Sequence, residues 1–449
     1  MVLRRLAALD PARYPLLLES AAPGPLGTTT LLLAAPRAAL WRTADGRRGA
    51  DGVAIEGDSF LGALESWWRR EGHPYPQGAA GGLPFAGGWA LYLGYELAQE
   101  IEPRLVLPRT PLPWAAFALR TPCALIHELG SNRVLAVAEE GAEDLLALIA
   151  ADARAAGGRA DLPDTLELRS VVEEDPGAFL GRVGRAKEYV SAGDIYQANL
   201  SRPWSVEVAG ASPGAGAAAA LYGRLREANP APFAALAQWR GAGIISSSPE
   251  RLVRVRGRRI DTRPIAGTRP RSRLPGGDAL EIPELVMHPK ERAEHIMLVD
   301  LERNDLGRLC EPGSVHVDEL MHIESYAHVH HIVSNVAGTL RAEVTPIGAM
   351  RAVFPGGTIT GCPKFRCMQI IAELEAAGRG AYTGSLGYLS RDGQLDLNIL
   401  IRTMTLTGTA IGFRAGAGIV ADSDPGRELE ETRAKARGLL RALGETHGA

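Results

Sequence analysis

Cysteine is scarce in this chain of 449 residues. Its four positions (Cys123, Cys310, Cys362 and Cys367) form no CxxC pair and have no histidine at zinc-site spacing. That excludes a disulfide framework and a finger-type zinc centre, and the thiols read as reduced ones in a cytoplasmic protein. An excess of positive charge is missing too. With 49 Lys+Arg against 52 Asp+Glu the net charge is −3, so no basic face for nucleic acid is expected. No apolar run approaches the roughly 18 to 20 residues that cross a bilayer. The apolar start of the chain breaks at Asp10, too early for a secretory signal, so no membrane partner is expected. HExxH does not occur, no GxGxxG follows a strand, and Lys364 lies outside the GxxxxGK[ST] spacing. GxSxG occurs once, as Gly210-Ala-Ser-Pro-Gly214 inside a Gly/Ala-rich loop, which is not a strand–turn–helix context. These features argue against a serine hydrolase, a zinc protease, a dinucleotide enzyme and a P-loop.

What is present is an ordinary globular composition, 46% apolar and 22% charged, in a chain long enough for two or three domains or one two-lobed body. Short β-rich runs punctuated by Gly and Pro extend from Leu16 to about Val137. A helix is predicted at about 143–155, and the connector Gly157–Asp164 sets a boundary near 160. A β-rich N-terminal unit over 1–160 and a second unit over 172–445 are expected. The second unit opens on a helix with Asp175 as N-cap, Pro176 at N1 and Phe179, Val183, Ala186 and Val190 as its apolar stripe, stopped by Gly193.

A strand over 195–201 and a Gly/Ala-rich loop at about 209–220 follow. A hairpin turning at Gly257-Arg258 pairs positions whose numbers sum to about 515, which sets Glu250 opposite Ile265. Helices are predicted at about 290–306, after Pro363 and over 425–443. Strands are predicted at about 314–340, 383–389, 395–407 and 411–420. Hairpins predominate and no βαβ repeat is visible. The expected fold is α+β, a two-lobed antiparallel β-sheet sandwich with helices packed outside.

The densest chemistry lies in the run from Asp422 to Lys435, after Gly416 and Gly418. Glu428, Glu431 and Lys435 share one helical face, suited either to a Mg²⁺ ion with a carboxylated ligand or to a solvated salt-bridge ladder. Glu294 falls on the stripe of Met297, Leu298 and Leu301, where a carboxylate needs a metal or an ion pair. Alternation through 398–403 puts Arg402 on a polar face, either inward as a carboxylate clamp or outward in solvent. His330 and His331 are strand neighbours and point to opposite faces, so one can serve chemistry while the other is structural.

In order, Gly193-Asp-Ile-Tyr-Gln197-Ala-Asn-Leu-Ser, Ser248-Pro-Glu250, Pro264-Ile-Ala266-Gly-Thr268-Arg-Pro-Arg and Ala293-Glu294 through Gly307 resemble the chorismate-utilising enzymes. That family is typified by component 1 of anthranilate synthase and of aminodeoxychorismate synthase. His331-Ile-Val-Ser, Gly357-Thr-Ile-Thr-Gly-Cys-Pro-Lys, Tyr382-Thr-Gly-Ser, Ile401-Arg402-Thr, Gly416-Ala-Gly418 and Glu428 through Lys435 continue the match, which is dense over about 172–440. Tyr196-Gln-Ala-Asn-Leu-Ser resembles the aminodeoxychorismate branch. Ala266 departs from that branch, where many members carry a lysine, and matches anthranilate synthases.

The resemblance implies Glu250 as general acid, His331 as its assistant, and Gln197 where water-using relatives keep a lysine, so that ammonia is the nucleophile. It implies Tyr382, Arg402, Gly416, Gly418, Lys435 and Thr268 around the substrate chorismate, and Glu294, Glu428 and Glu431 on the side of a Mg²⁺ cofactor. Glu19, Ser20, Pro232 and Phe233 resemble the family's tryptophan pocket. No amidotransferase segment surrounds any cysteine, so a separate glutamine amidotransferase subunit is the implied source of ammonia. The expected product is 4-amino-4-deoxychorismate, for 4-aminobenzoate and folate synthesis, with anthranilate plus pyruvate as the alternative.

Overall fold

The computed structural model describes residues 2–22, 27–73, 82–157, 166–209, 216–270, 289–325 and 329–445, with backbone alone at 266, 268–270, 289–291 and 329. Within them, two antiparallel sheets of 11 strands each pack face to face. The strands alternate with period two, as half-buried strands must. Leu31 and Leu33 enter the core between the sheets, while Leu32 turns to an outer helical layer. Tyr92 lies between the sheets, and its neighbour Leu91 faces the opposite outer layer. Helices Val2–Leu9, Ala217–Ala228 and Pro425–Ala442 cover the first sheet, and Phe60–Glu71, Pro289–Gly307 and Pro346–Val353 cover the second. The α+β sandwich with outside helices is therefore the observed architecture.

Each sheet draws on both ends of the chain. Strand Leu16–Glu19 lies between Phe233–Trp239 and Thr29–Ala34 in the first sheet. Strand Gly88–Leu93 lies between Ser385–Ser390 and Trp114–Thr121 in the second. The division near residue 160 is thus one of the sequence, since the segments 1–160 and 172–445 contribute strands to the same two sheets.

Locally coded elements fall close to their expected places. Helix Pro176–Ser191 has Asp175 as N-cap, accepting from the Ala178 amide, and helix Pro425–Ala442 is capped the same way by Asp424. The hairpin turns at Gly257-Arg258 and keeps the sum of 515 from Arg254↔Asp261 to Arg256↔Arg259. A bulge then shifts it, so that Arg251 faces Arg263.

Two expectations change. The single strand expected over 395–407 is two, Leu395–Asn398 in the second sheet and Thr403–Thr407 in the first. Arg402 takes a left-handed backbone, φ 52°, which no continuous strand accommodates. The stretch expected as loop to 220 becomes helical at Ala217. Ala217 and Ala218 are buried with Leu221, Tyr222 and Leu225, and alanine is both a strong helix former and small enough to sit on the sheet.

Candidate active site

The chain crosses between the two sheets at two adjacent places. Ser248–Glu250 leads from strand Ala242–Ser248 into Arg251–Arg256, and residues 399–402 lead from Leu395–Asn398 back into Thr403–Thr407. The crossings are tied together: the Ile399 amide donates to the Glu250 carbonyl (3.0 Å) and the Ser247 amide to the Arg402 carbonyl (3.1 Å). Segment 382–384 joins them, since Thr383 N donates to Leu400 O and Leu400 N to Gly384 O, both at 2.8 Å. Thr383 is also left-handed, at φ 63°, an unusual state for a β-branched residue. Two non-glycine residues in this conformation at one crossing show that the surrounding hydrogen bonds over-determine the backbone here.

Glu250 sits at this crossing with 4% of its surface exposed. Burial raises its carboxyl to about 8. The Thr358 hydroxyl (2.8 Å), the Ile265 amide and the Arg402 charge oppose that rise, and the Glu302 charge adds to it. At neutral pH Glu250 is therefore a buried carboxylic acid, able to give up a proton. His331 is also buried. Burial first, then the charge of Arg402, lower its imidazole to about 3, while a hydrogen bond with the Gly267 backbone opposes them. His331 is neutral near pH 7 and can serve as a hydrogen-bonding group, not as a source of protons. Its neighbour His330 contacts Ser325 Oγ through Nδ1 at 2.7 Å, a structural bond in a β-ladder. The side chains of Ala266 and Thr268 lie outside the described residues.

A second wall forms on strands Gln197–Glu207 and Ala410–Ile419, which pair Asn199 with Gly418 and Ser201 with Gly416. A Cβ on Gly418 would stand 2.2 Å from Gln197 Nε2. One on Gly416 would stand 2.6 Å from the Tyr382 hydroxyl and 2.7 Å from the Leu200 carbonyl. The two glycines thus leave room for Gln197 and Tyr382 to converge. Gln197 is 7% exposed, and its Oε1 has no hydrogen-bond partner among the described residues. Strand Thr403–Thr407 ends its pairing at Phe413, leaving one edge of the following residues without a strand partner among those described. Lys435 Nζ reaches the Gly416 carbonyl there (2.9 Å) and pairs with Glu431 at 2.7 Å.

The 3₁₀ turn Gly357–Ile359 links the walls. Thr358 holds Glu250, while Asn199 takes Ile359 O (3.2 Å) through its side chain and Thr360 O (3.0 Å) through its amide. Beneath lies Arg379, donating to Glu375, to Asn199 O (2.6 Å) and to Ile359 O (3.2 Å), with Tyr382 and Tyr95 rings against its guanidinium.

The three carboxylates expected near a metal are not equivalent. Glu428 is buried, Glu294 is half-buried on helix Pro289–Gly307, and the Glu431 side chain is 47% exposed. Among the described residues no three His, Cys, Asp or Glu side chains stand close enough to cage a metal. Carboxylate oxygens are nevertheless the donors Mg²⁺ takes, and it commonly uses one or two of them plus water and ligand oxygens. The donor chemistry fits, without a preformed cage.

Next to these crossings, against Arg251 and Asn398, Glu19, Ser20, Pro232 and Phe233 converge on one cavity of about 150 Å³, with Arg251 over the Phe233 ring at 4.9 Å. The Glu19 carboxylate belongs to the outer layer, accepting from Tyr222 (2.7 Å) and Arg226 (2.9 Å), so Glu19 meets the cavity without aiming its charge at it. Thr358, Glu302, Glu375 and Arg379 were not anticipated as site residues. Thr358 and Glu302 lie inside the matched stretches Gly357–Lys364 and Ala293–Gly307, but no local spacing marks Glu375 or Arg379.

A family model described as chorismate binding enzyme matches residues 37–441. An anthranilate synthase component I-like protein of Synechocystis is 42% identical over 385 residues, covering 80% of this chain and 73% of that protein. Aminodeoxychorismate synthase component 1 of Bacillus subtilis is 38% identical over 412 residues, covering 88% and 84%. The crystal structure of anthranilate synthase component I from Streptococcus pneumoniae superposes with a TM-score of 0.79 at 30% identity, covering 93% of each chain. The matched stretch runs through both sheets and through the site from Gln197 to Lys435, and the chain belongs to the chorismate-binding enzymes.

Proposed function

We propose that this chain aminates chorismate with ammonia to 4-amino-4-deoxychorismate, a precursor of 4-aminobenzoate. Amination is carried by two features taken together: a protonated Glu250, and a buried Gln197 whose carbonyl oxygen has no hydrogen-bond partner among the described residues and whose Nε2 lies beside Gly418. Hydroxide is a poor leaving group, so Glu250 gives its proton to the departing C4 hydroxyl, which leaves as water. Ammonia forms the new C–N bond, and the extra proton on nitrogen returns to the Glu250 carboxylate. An amide oxygen accepts a hydrogen bond from ammonia but cannot deprotonate water, which suits Gln197 to an amine nucleophile.

Arg402, Tyr382, Lys435, Thr268 and the Gly416 and Gly418 backbone bind and orient the two substrate carboxylates. Mg²⁺, held by Glu428 and Glu294 with Glu431 at the rim, would neutralise a substrate carboxylate. Ammonia comes from a separate glutamine amidotransferase subunit. The cavity at Ser20, Pro232 and Phe233 is assigned to an amino-acid effector, as in the tryptophan pocket that these residues resemble.

Ala266 favours a second reading, anthranilate synthase component 1, because it stands where a lysine is found in many aminodeoxychorismate synthases. Chorismate, Mg²⁺ and ammonium salt at mildly alkaline pH separate the two. Aminodeoxychorismate without pyruvate supports the first reading, and fluorescent anthranilate with equimolar pyruvate replaces it with the second.

A further inference from the structure

The 3₁₀ turn Gly357–Ile359 is gripped by two buried carboxyl groups. Glu250 accepts from the Thr358 hydroxyl at 2.8 Å, and Glu302 accepts from the Gly357 amide at 3.3 Å. Glu302 is only 2% exposed and lies on the inner face of helix Pro289–Gly307. A Cβ on Gly357 would stand 2.4 Å from Leu301 Cδ2, so turn and helix are in close contact. Accepting one backbone N–H requires only a neutral oxygen, and a buried carboxylate is a costly way to supply it. The charged and polar groups that face Glu302 are Asp305 on its own helix, Lys364 from helix Lys364–Glu375 and Thr262 from strand Arg259–Arg263. Lys364 is itself bound to Asp305 and to Val353 O (3.3 Å), so its charge is shared. Glu250 is faced by Thr358, Arg402, the Ile265 amide and Glu302.

We infer that Glu302 is a positioning residue for Glu250: through the shared turn it fixes the acid's geometry, and through its charge it acts on that acid. The inference rests on the reading of Glu250 as general acid. Its chemical sense lies in the nucleophile. Ammonia must be unprotonated to attack, which favours high pH, whereas the acid must stay protonated, which favours low pH. A second carboxylate that ionises nearby opposes ionisation of the first and widens the range in which both conditions hold. Burial, with Asp305 adding and Lys364 opposing, raises Glu302 above the ordinary carboxylate range as well.

The test is the pH profile of kcat/KM for chorismate, with the concentration of free ammonia held constant, on the full chain and its Glu302→Gln variant. Glutamine keeps an acceptor for Gly357 and removes the charge. The alkaline limb of the variant should move down by about half to one pH unit, with Glu302→Asp restoring it and KM little changed. A uniform loss of rate with the limb in place would reduce Glu302 to scaffolding. Infrared titration of the buried carboxylic acids covers a variant that fails to fold. Coupling is reciprocal, so Glu250→Gln must shift the midpoint of Glu302, and an unmoved midpoint overturns the inference. If Glu250→Gln keeps its turnover, the general-acid reading fails instead, while the infrared midpoint still decides the coupling.

Discussion

Glu250 and Glu375 are both buried glutamates, 4% and 7% exposed, linked by the turn and strand around Asn199. Burial pushes both carboxyls upward, yet they end on opposite sides of neutrality. Glu250 has a hydroxyl, an amide and one nearby cation, and rises to about 8. Glu375 has the Arg379 and Arg414 guanidiniums, the Ser201 hydroxyl and the Ser201 amide, which overcome burial and hold it at about 2. Burial sets the scale of the shift, and the partners set its sign. One glutamate is a store of a proton at the crossing of the sheets; the other is a fixed anion that pins Arg379 under the site.

Four changes break or sharpen this contrast. The largest effect belongs to Glu250→Gln, which removes the proton donor and keeps the shape. Turnover should fall by about 10³-fold while chorismate binding, followed by calorimetry, persists; a variant with more than about a tenth of wild-type turnover would show that Glu250 is not the acid. Next is Arg379→Met, which strands the Glu375 charge with Arg414 alone. Breaking a buried pair in this way costs about 3–5 kcal/mol, to be read from the urea midpoint. An unchanged midpoint would mean that Arg414 alone suffices.

Gly418→Ala comes third. Its Cβ displaces the end of the Gln197 side chain and meets no backbone nearby. Ammonia-dependent turnover should drop about 10- to 100-fold with little change in melting temperature. An unaltered rate would remove Gln197 from the reaction.

The smallest effect is on the pH dependence of stability. The Glu250 carboxyl is raised from 4.5 to about 8, so between those pH values the folded state holds a proton that the unfolded chain has lost. Stability therefore declines as pH rises through that window. The Glu375 carboxyl is lowered from 4.5 to about 2, and its contribution is present above 4.5 and lost as pH falls toward 2. Melting curves from pH 5 to 8 should show a flatter decline for Glu250→Gln than for the wild type. Parallel curves would place the Glu250 titration outside that window.

Local signals in the sequence carried much of the fold. Asp175-Pro176 and Asp424-Pro425 start helices because a side-chain cap and a fixed proline φ act within one turn. The Gly257-Arg258 turn set the hairpin register as far as Arg254, where the bulge intervened. Alternation misled at 398–403, because a period of two cannot distinguish one strand from two strands in different sheets joined by a left-handed residue. It gave Arg402 a face when the residue in fact sits at a crossing. Glu19 shows the same limit from the other side: its place beside the small cavity was legible, but the direction of its carboxylate depended on Tyr222, 203 residues away in sequence.

Helix caps, strand alternation and the ordered motifs from Gln197 to Lys435 depend on neighbours along the chain, so the sequence by itself determined the elements and the chorismate-binding family. The protonation of Glu250 and the anionic state of Glu375 were decided only by the tertiary structure. So were the Gln197 oxygen, left without a hydrogen-bond partner among the described residues, and the grip of Glu302 on the turn. Each is a sum of burial and charge contributed by groups distant in sequence, such as Thr358, 108 residues from the carboxyl it holds. A sum of that kind has no value until the chain has closed around it.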